Sequence, residues 1–114
     1  MQTEKTKSPE IIYDEAGTLF LKKLFIILLE ENYFSFLESA LEYVSEMKSF
    51  IQQNIYLLLH HPAPKYFSKY KTDMEYIAYQ ANKRTTWYIF FKQLENRFIV
   101  YYITNNHFEG QYIR

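Results

Sequence analysis

The pattern of hydrophobic and polar positions is most regular near the C-terminal end of the chain. Residues 85–107 are almost entirely β-branched or aromatic, and only the pair Glu95-Asn96 interrupts the run. A run of this composition, broken once by a short polar pair, is typical of two adjacent strands joined by a tight turn. The pattern therefore predicts a β-hairpin.

Both faces of the first predicted strand of this hairpin are hydrophobic. Trp87, Ile89 and Phe91 would lie on one face, and Tyr88 and Phe90 on the other. A strand that is apolar on both faces needs cover on both. We expect helices to cover one face and leave the other for a partner, a second subunit or a substrate.

Upstream, two stretches show the three- and four-residue spacing of apolar positions that is typical of amphipathic helices. The first is predicted to run from the N-cap residue Asp14 to about Glu30. Ser35-x-x-Glu38 has the form of a capping box, so the second helix should begin just after Phe34. The short connection predicts an antiparallel helical hairpin. The apolar positions of the second helix are Phe36, Ala40, Val44, Met47, Ile51, Ile55 and Leu58.

The remaining segments complete a small domain. Residues 10–13 form a short strand candidate, and the proline-containing residues 60–64 should end the second helix and begin an irregular connection. Residues 74–80 are predicted as a strand and 81–84 as a turn. The order is β-α-α-β-β-β, an α+β fold with a helical hairpin packed on a small, mainly antiparallel sheet. We expect one domain over residues 10–114, preceded by a flexible segment, 1–9.

Composition agrees with one compact domain. The chain has 114 residues, of which 48% are hydrophobic and 20% aromatic, with only two Gly and three Pro, which argues against disorder. It has no cysteine, so it has no disulfides or thiol chemistry. Its apolar runs are far shorter than the roughly 20 residues that span a bilayer, and its polar start does not resemble a signal peptide. We expect a cytoplasmic protein with no membrane partner.

The charges are sorted along the chain although the formal net charge is zero. Residues 1–64 hold five Lys against nine acidic residues, and residues 65–114 hold eight Lys and Arg against four acidic residues. The β-rich half is therefore the basic half. A basic, aromatic sheet suits an anionic partner, either nucleic acid or an acidic peptide. The alternative is that these lysines are solvated edge-strand residues that discourage aggregation.

Few residues suggest chemistry by themselves. His60-His61 lacks a third ligand nearby, and adjacent side chains diverge, so we expect no metal site. Gly17 and Gly110 stand alone, so the chain has no glycine-rich phosphate loop, and no cofactor is expected. Lys69-Tyr70-Lys71 has the basic and aromatic mixture that holds single-stranded nucleic acid. It is also compatible with a solvated connection whose aromatic rings anchor on the core.

The order of elements, together with several local sequences, resembles the RelE/ParE superfamily of bacterial toxins, also described as plasmid stabilisation proteins. The resemblance covers residues 10–107. Its marks are Ile11-Ile12-Tyr13, the helical hairpin, the proline-containing connection, the strand sequence of residues 86–91 and the closing Asn105-Asn106-His107. It implies the toxin of a type II toxin–antitoxin module, with a cognate antitoxin as partner.

The RelE-like branch of this superfamily consists of ribosome-dependent, metal-independent mRNA endonucleases. The resemblance places Ile77, Tyr79 and Thr86 where these enzymes have basic residues that hold the scissile phosphate. His107 falls at their C-terminal Arg or His position, and Tyr112 lies close to their Tyr. His107 could protonate a leaving group, because histidine is the residue type that most often acts as a general acid or base. Neighbouring loops could supply charge through Lys69, Lys71, Lys83 and Arg84.

The ParE-like branch has no catalytic set and acts by binding DNA gyrase, so the missing basic residues favour this branch or a divergent member. Two alternatives stay open, namely an mRNA endonuclease that acts at the ribosome and a non-toxic scaffold that forms a homodimer. A hydrophobic antitoxin segment is expected on the aromatic sheet or in a groove beside the helical hairpin. The sheet residues expected to bind a partner are Trp87, Tyr88, Phe90, Tyr101 and Tyr102.

Overall fold

A computed structural model describes residues 9–30 and 37–113, with the side chains of 25, 27–30 and 37–40 left out. The expected short N-terminal segment and the capping box fall largely outside this part. The strands are β1 (Glu10–Tyr13), β2 (His61–Pro62), β3 (Glu75–Gln80), β4 (Thr86–Leu94) and β5 (Arg97–Asn105). The helices are α1 (Glu15–Glu30), α2 (Leu37–Asn54) and α3 (Asn106–Glu109).

The five strands form one sheet in the order β1-β5-β4-β3-β2. β1 pairs with β5 in parallel, and all other pairs are antiparallel. The predicted α+β class and mainly antiparallel sheet are thus confirmed, and the principal elements follow the predicted order. The two-residue strand β2, the short helix α3 and a 3₁₀ turn at Lys65–Lys69 were not predicted. The strand β2 and the 3₁₀ turn both lie within the connection before residue 74 that was expected to be irregular.

The predicted β-hairpin is confirmed as β4 and β5. Its turn lies at the predicted break, where Glu95 adopts a left-handed backbone conformation with a φ of 57°, which is uncommon for a residue other than glycine. The paired strands contain one irregularity, since Phe90 pairs with Tyr102 whereas Phe91 pairs with Val100. Tyr101 is therefore the extra residue of a β-bulge.

The two long helices contact each other and cover one face of the sheet. The predicted stripe of the second helix is confirmed at Met47 and Ile51, which are fully buried in the core between the helices and the sheet. Its predicted end at residues 60–64 is wrong, because α2 ends at Asn54 and the buried Ile55 lies in the turn that follows. Helix α1 approaches the sheet closely at Gly17, where an added Cβ would lie 3.0 Å from the carbonyl oxygen of Val100. This close approach explains a glycine near the start of an otherwise ordinary helix.

The other face of the sheet has its own hydrophobic cluster, which the chain itself covers. Phe67 from the 3₁₀ turn stacks on Phe90 of β4 with ring centroids 4.4 Å apart, and both side chains are fully buried. Met74 completes the buried part of this cluster. The expectation of an uncovered second face is therefore wrong at its centre, because residues 63–74 fold back over it.

The adjacent histidines have structural contacts. The His60 ring lies 2.6 Å from the carbonyl oxygen of Ile55, next to the end of α2, and its edge contacts the ring of Phe91. His61 stacks on Tyr76 of β3. Their side chains lie against different neighbours, as expected for adjacent residues. Among the described residues no helix is both long enough and apolar enough to cross a membrane.

Candidate functional site

On the second face of the sheet, a buried carboxylate is surrounded by tyrosines. Glu109, in α3, is only 8% exposed. Its oxygens accept hydrogen bonds from the hydroxyl groups of Tyr102 at 2.6 Å, Tyr66 at 3.1 Å and Tyr70 at 3.5 Å. A buried carboxylate needs such donors, because desolvation without them is costly. We call these four residues the tyrosine–carboxylate cluster.

Three different elements bring these side chains together. Tyr66 and Tyr70 come from the 3₁₀ turn and the residue that follows it. Tyr102 lies on β5 beside the bulge, which places both Tyr101 and Tyr102 against the second cluster, although consecutive strand residues normally point to opposite faces. Glu109 is positioned by α3, whose first turn is capped by the side chain of Asn105.

Lysine side chains lie over the aromatic rings at this site. The ammonium group of Lys69 is 3.9 Å from the centre of the Tyr66 ring, and that of Lys71 is 5.2 Å from the centre of the Tyr101 ring. Both distances fit cation–π contacts. The ring of Tyr112 also stacks on that of Tyr66, with ring centroids 3.7 Å apart and the two rings nearly parallel. The predicted candidates Lys69, Lys71 and Tyr112 therefore belong to one surface.

The surroundings of the site raise the pKa of two of its side chains, Lys69 and Tyr102. Hydrogen bonding to Tyr66 raises the pKa of Lys69 above its ordinary value, and the nearby negative charge of Glu109 acts in the same direction. Burial, followed by the hydrogen bond to Glu109, raises the pKa of Tyr102 well above its ordinary value. At neutral pH, Lys69 is therefore a cation and Tyr102 a neutral hydrogen-bond donor.

The other predicted site residues gather at the turn between β3 and β4. The His107 ring lies 3.1 Å from the hydroxyl oxygen of Thr85. Asn106 holds the same turn, since its side-chain amide donates to the carbonyl oxygen of Arg84 and its side-chain oxygen accepts from the backbone of Thr86. Lys83 and Arg84 are exposed in this turn. His107 thus lies beside the basic turn, where its ring contacts the hydroxyl group of Thr85.

The strand positions matched to the phosphate-holding residues of RelE-like enzymes carry no charge. Ile77 is fully buried in the core under the helices. Tyr79 stacks on Phe50 of α2 with centroids 4.1 Å apart. Thr86 is half-buried at the start of β4. Two of the three positions therefore pack against the helical layer, and none of the three offers a cation to a phosphate.

The aromatic residues predicted to bind a partner differ in exposure. Trp87 is 3% exposed, and its indole nitrogen donates to the hydroxyl group of Tyr43 on α2 at 3.0 Å. Phe90 is fully buried beneath Phe67. Both therefore belong to the interior of the fold. Tyr88, Tyr101 and Tyr102 are half-buried on the second face.

An apolar groove runs between the two long helices, with a volume of about 930 Å³. Ile26 on α1 and Leu41 on α2 line it and are about half exposed. Lys22 and Lys48 also line the groove, and the ammonium group of Lys48 is 5.3 Å from the centre of the Tyr13 ring. An apolar floor flanked by cations suits an amphipathic segment that carries acidic residues.

Sequence reasoning missed Glu109 as the centre of a site. Two of the tyrosines that donate to it, Tyr66 and Tyr70, are 43 and 39 positions away in the sequence, so residues next to Glu109 give no signal of the site. Among the residues that the structure describes, no group of three or more His, Cys, Asp or Glu side chains is arranged to hold a metal ion. Comparison with protein-family models, curated proteins and solved structures finds no match to this chain.

Proposed function

We propose that this chain is the toxin of a bacterial type II toxin–antitoxin module, in the ParE-like branch or a divergent relative of it. It acts in the cytoplasm by binding an essential target, for which DNA gyrase is the candidate that the resemblance supplies. A cognate antitoxin neutralises it. The order of the principal elements supports the proposal, because a helical hairpin covers one face of a mainly antiparallel sheet, as the resemblance to this superfamily implies.

The observation that favours binding over catalysis is the neutral character of the matched strand positions. RNA cleavage without a metal requires groups that hold the phosphate charge and groups that move protons, and each contributes a factor of hundreds or more to the rate. Ile77 and Tyr79 are packed against the helical layer and hold no charge. A protein that acts by binding has no need of such groups.

The groove between α1 and α2 is the site at which we place the antitoxin. Its occupant would be an amphipathic segment that buries apolar side chains against Leu21 and Val44. Acidic side chains on the same segment would pair with Lys22 and Lys48 at the rim. Such a helix-in-groove contact combines hydrophobic burial with charge complementarity.

Induced expression in a bacterial host tests the proposal. The chain alone should arrest growth, and co-expression with the small open reading frame beside its gene should restore growth. Leu41→Lys places a charge in the groove and should abolish the restoration while the arrest remains. Leu57→Lys is the matched control, because Leu57 is 76% exposed and does not line the groove.

Two results would contradict the proposal. If the chain does not slow growth even when it accumulates in soluble form, it is not a toxin, and the scaffold alternative replaces the proposal. If Leu57→Lys prevents neutralisation as strongly as Leu41→Lys, the groove is not the antitoxin site. Light scattering on the purified chain then determines whether it forms a homodimer.

One observation supports the mRNA endonuclease as a second candidate. His107 is exposed, contacts the hydroxyl group of Thr85 and lies beside the cationic turn that contains Lys83 and Arg84. A general acid next to exposed positive charges is a minimal arrangement for phosphate chemistry. It lacks the matched basic residues on the strands, which is why we rank it second.

A further inference from the structure

The second sheet face carries a surface on which exposed cations alternate with tyrosine rings. We call it the basic–aromatic surface, and it extends beyond the tyrosine–carboxylate cluster. All three of its lysines are exposed, and Tyr70 and Tyr112 are each 37% exposed. Its members are Lys65, Lys69, Lys71, Tyr70, Tyr101 and Tyr112.

Two rings of this surface, those of Tyr70 and Tyr112, are held in place by stacking on rings of the cluster. Tyr70 stacks on Tyr102 with centroids 3.8 Å apart, and Tyr112 stacks on Tyr66 at 3.7 Å. The hydroxyl groups of Tyr66, Tyr70 and Tyr102 are bonded to Glu109, which limits the rotation of these three side chains. An exposed ring that is already fixed loses little entropy when a planar ligand stacks on it.

The carboxylate of Glu109 does not remove the positive character of the surface. It is buried, and its oxygens are occupied by tyrosine hydroxyl groups, whereas the lysines that lie over the rings are exposed to solvent. The glutamate therefore orders the rings below, and the cations above them remain available to an anion. Aromatic faces and solvated cations within a few ångströms of each other fit a ligand with flat rings and negative charges.

We propose that the basic–aromatic surface binds single-stranded nucleic acid. The lysines contact phosphates, and an unpaired base stacks on the exposed ring of Tyr112 or Tyr70. Stacking of this kind accepts every base, so binding depends little on sequence. A duplex cannot use the rings, because its bases already stack on one another. The surface is separate from the helical groove, so this inference does not depend on the antitoxin or on toxicity.

Fluorescence anisotropy with labelled 12-nucleotide oligomers tests the inference on the whole chain. The probes are oligo-uridine RNA, oligo-thymidine DNA and a 12-base-pair DNA duplex. Both single strands should bind at least five times more tightly than the duplex, and the tighter of the two identifies the preferred nucleic acid. Affinity should fall as salt rises, with a log–log slope near −2 if three phosphates are contacted, from about −0.7 per phosphate for single strands.

Substitutions separate stacking from charge. Tyr112→Ala should weaken single-strand binding about fivefold or more, and Tyr112→Phe, which keeps the ring, should bind like the wild type. Lys71→Gln should reduce the salt slope by about 0.7. Lys23→Gln is the matched control, because Lys23 is an exposed lysine on α1, which packs against the opposite face of the sheet.

Several results would overturn the inference. These are no binding of either single strand at low salt, equal affinity for the duplex, or equal weakening by Lys23→Gln and Lys71→Gln. Displacement of the RNA by a polyglutamate peptide at equal charge concentration would also overturn it, since the surface would then recognise charge alone. Circular dichroism of Tyr112→Ala shows whether its fold is intact, and Tyr112→Phe tests the ring requirement if it is not.

Discussion

At the scale of single residues, the stability of the helical side of the core depends on side chains with no exposed surface. Ile51 of α2 is fully buried between the helices and the sheet. Ile51→Ala should lower the free energy of unfolding by roughly 2–5 kcal/mol, since it leaves a cavity in a packed core. Urea unfolding measures the change. Leu57→Ala is the control and should cost little, because Leu57 is 76% exposed.

A loss below about 0.5 kcal/mol for Ile51→Ala would contradict the packing of α2 on the sheet.

Ile51 also shows which features of the core the sequence can predict. The three- and four-residue spacing of Met47, Ile51 and Ile55 identified a buried stripe correctly, because helical periodicity fixes which residues share a face. It did not identify Gly17 as a contact position, because that role depends on how closely α1 approaches β5.

A second residue, Tyr13, should make the free energy of unfolding decrease at alkaline pH. Burial raises its pKa from 10.0 to about 12. The folded state therefore favours the neutral phenol, so this contribution is complete below pH 10 and is lost as the pH rises towards 12. The free energy of unfolding of the wild type should fall over this interval. That of Tyr13→Phe should fall less steeply, and the two slopes should differ by up to about 1.4 kcal/mol per pH unit.

Urea unfolding at pH 7, 10 and 11.5 compares the two proteins. Solvent reaches part of the Tyr13 ring, so the difference in slope should be smaller than the limiting value. Tyr102 also has a raised pKa and remains in both proteins, so Tyr13→Phe should keep some alkaline sensitivity. Identical slopes would show that Tyr13 is not shielded from water by the helical side of the core.

At the scale of elements, Glu109 ties the end of the short helix α3 to the second face of the sheet, in addition to the contacts that Asn106 and His107 make with residues 84–86. Glu109→Ala removes the shared acceptor of three tyrosine hydroxyl groups and should cost about 2–3 kcal/mol, in the range for charge-assisted hydrogen bonds. Glu109→Gln keeps one amide oxygen as an acceptor and should cost less. Amide hydrogen exchange over residues 106–113 should accelerate in the alanine variant.

If Glu109→Ala is as stable as the wild type and its exchange is unchanged, the cluster does not hold the C-terminal segment.

The elements also show which parts of the fold the sequence could predict and which it could not. The hairpin and the strand before it were predicted because their composition is strongly β-branched and aromatic. The connection before residue 74 was expected to be irregular, although Phe67 within it stacks on Phe90. Its pattern is too short for periodicity to reveal that contact.

The β-bulge illustrates the same limit within a correctly predicted element. Strict alternation would put Tyr101 and Tyr102 on opposite faces, but the extra residue at Tyr101 brings both to the second face. The tyrosine–carboxylate cluster requires this arrangement, because it places Tyr102 within reach of Glu109. A hydrophobic pattern does not encode a bulge, so the composition of the site could not be predicted although its strand could.

At the scale of the whole molecule, the two faces of the sheet have different roles in this account. The helical layer belongs to the half of the chain in which acidic residues predominate, and it presents the groove proposed for the antitoxin. The opposite face belongs to the basic half and presents the basic–aromatic surface. The predicted separation of charge along the sequence therefore becomes, in the fold, a separation between two surfaces.

The central claim is that the chain arrests growth by binding and not by cutting RNA, and transcript integrity after induction tests it most directly. Cells that express the wild type or His107→Ala are followed for growth while cellular mRNA is mapped by primer extension. We predict that both proteins arrest growth and that transcripts stay intact, since the matched strand positions hold no charge. Rapid codon-specific cleavage by the wild type, abolished by His107→Ala, would contradict the account and place the chain among the mRNA endonucleases.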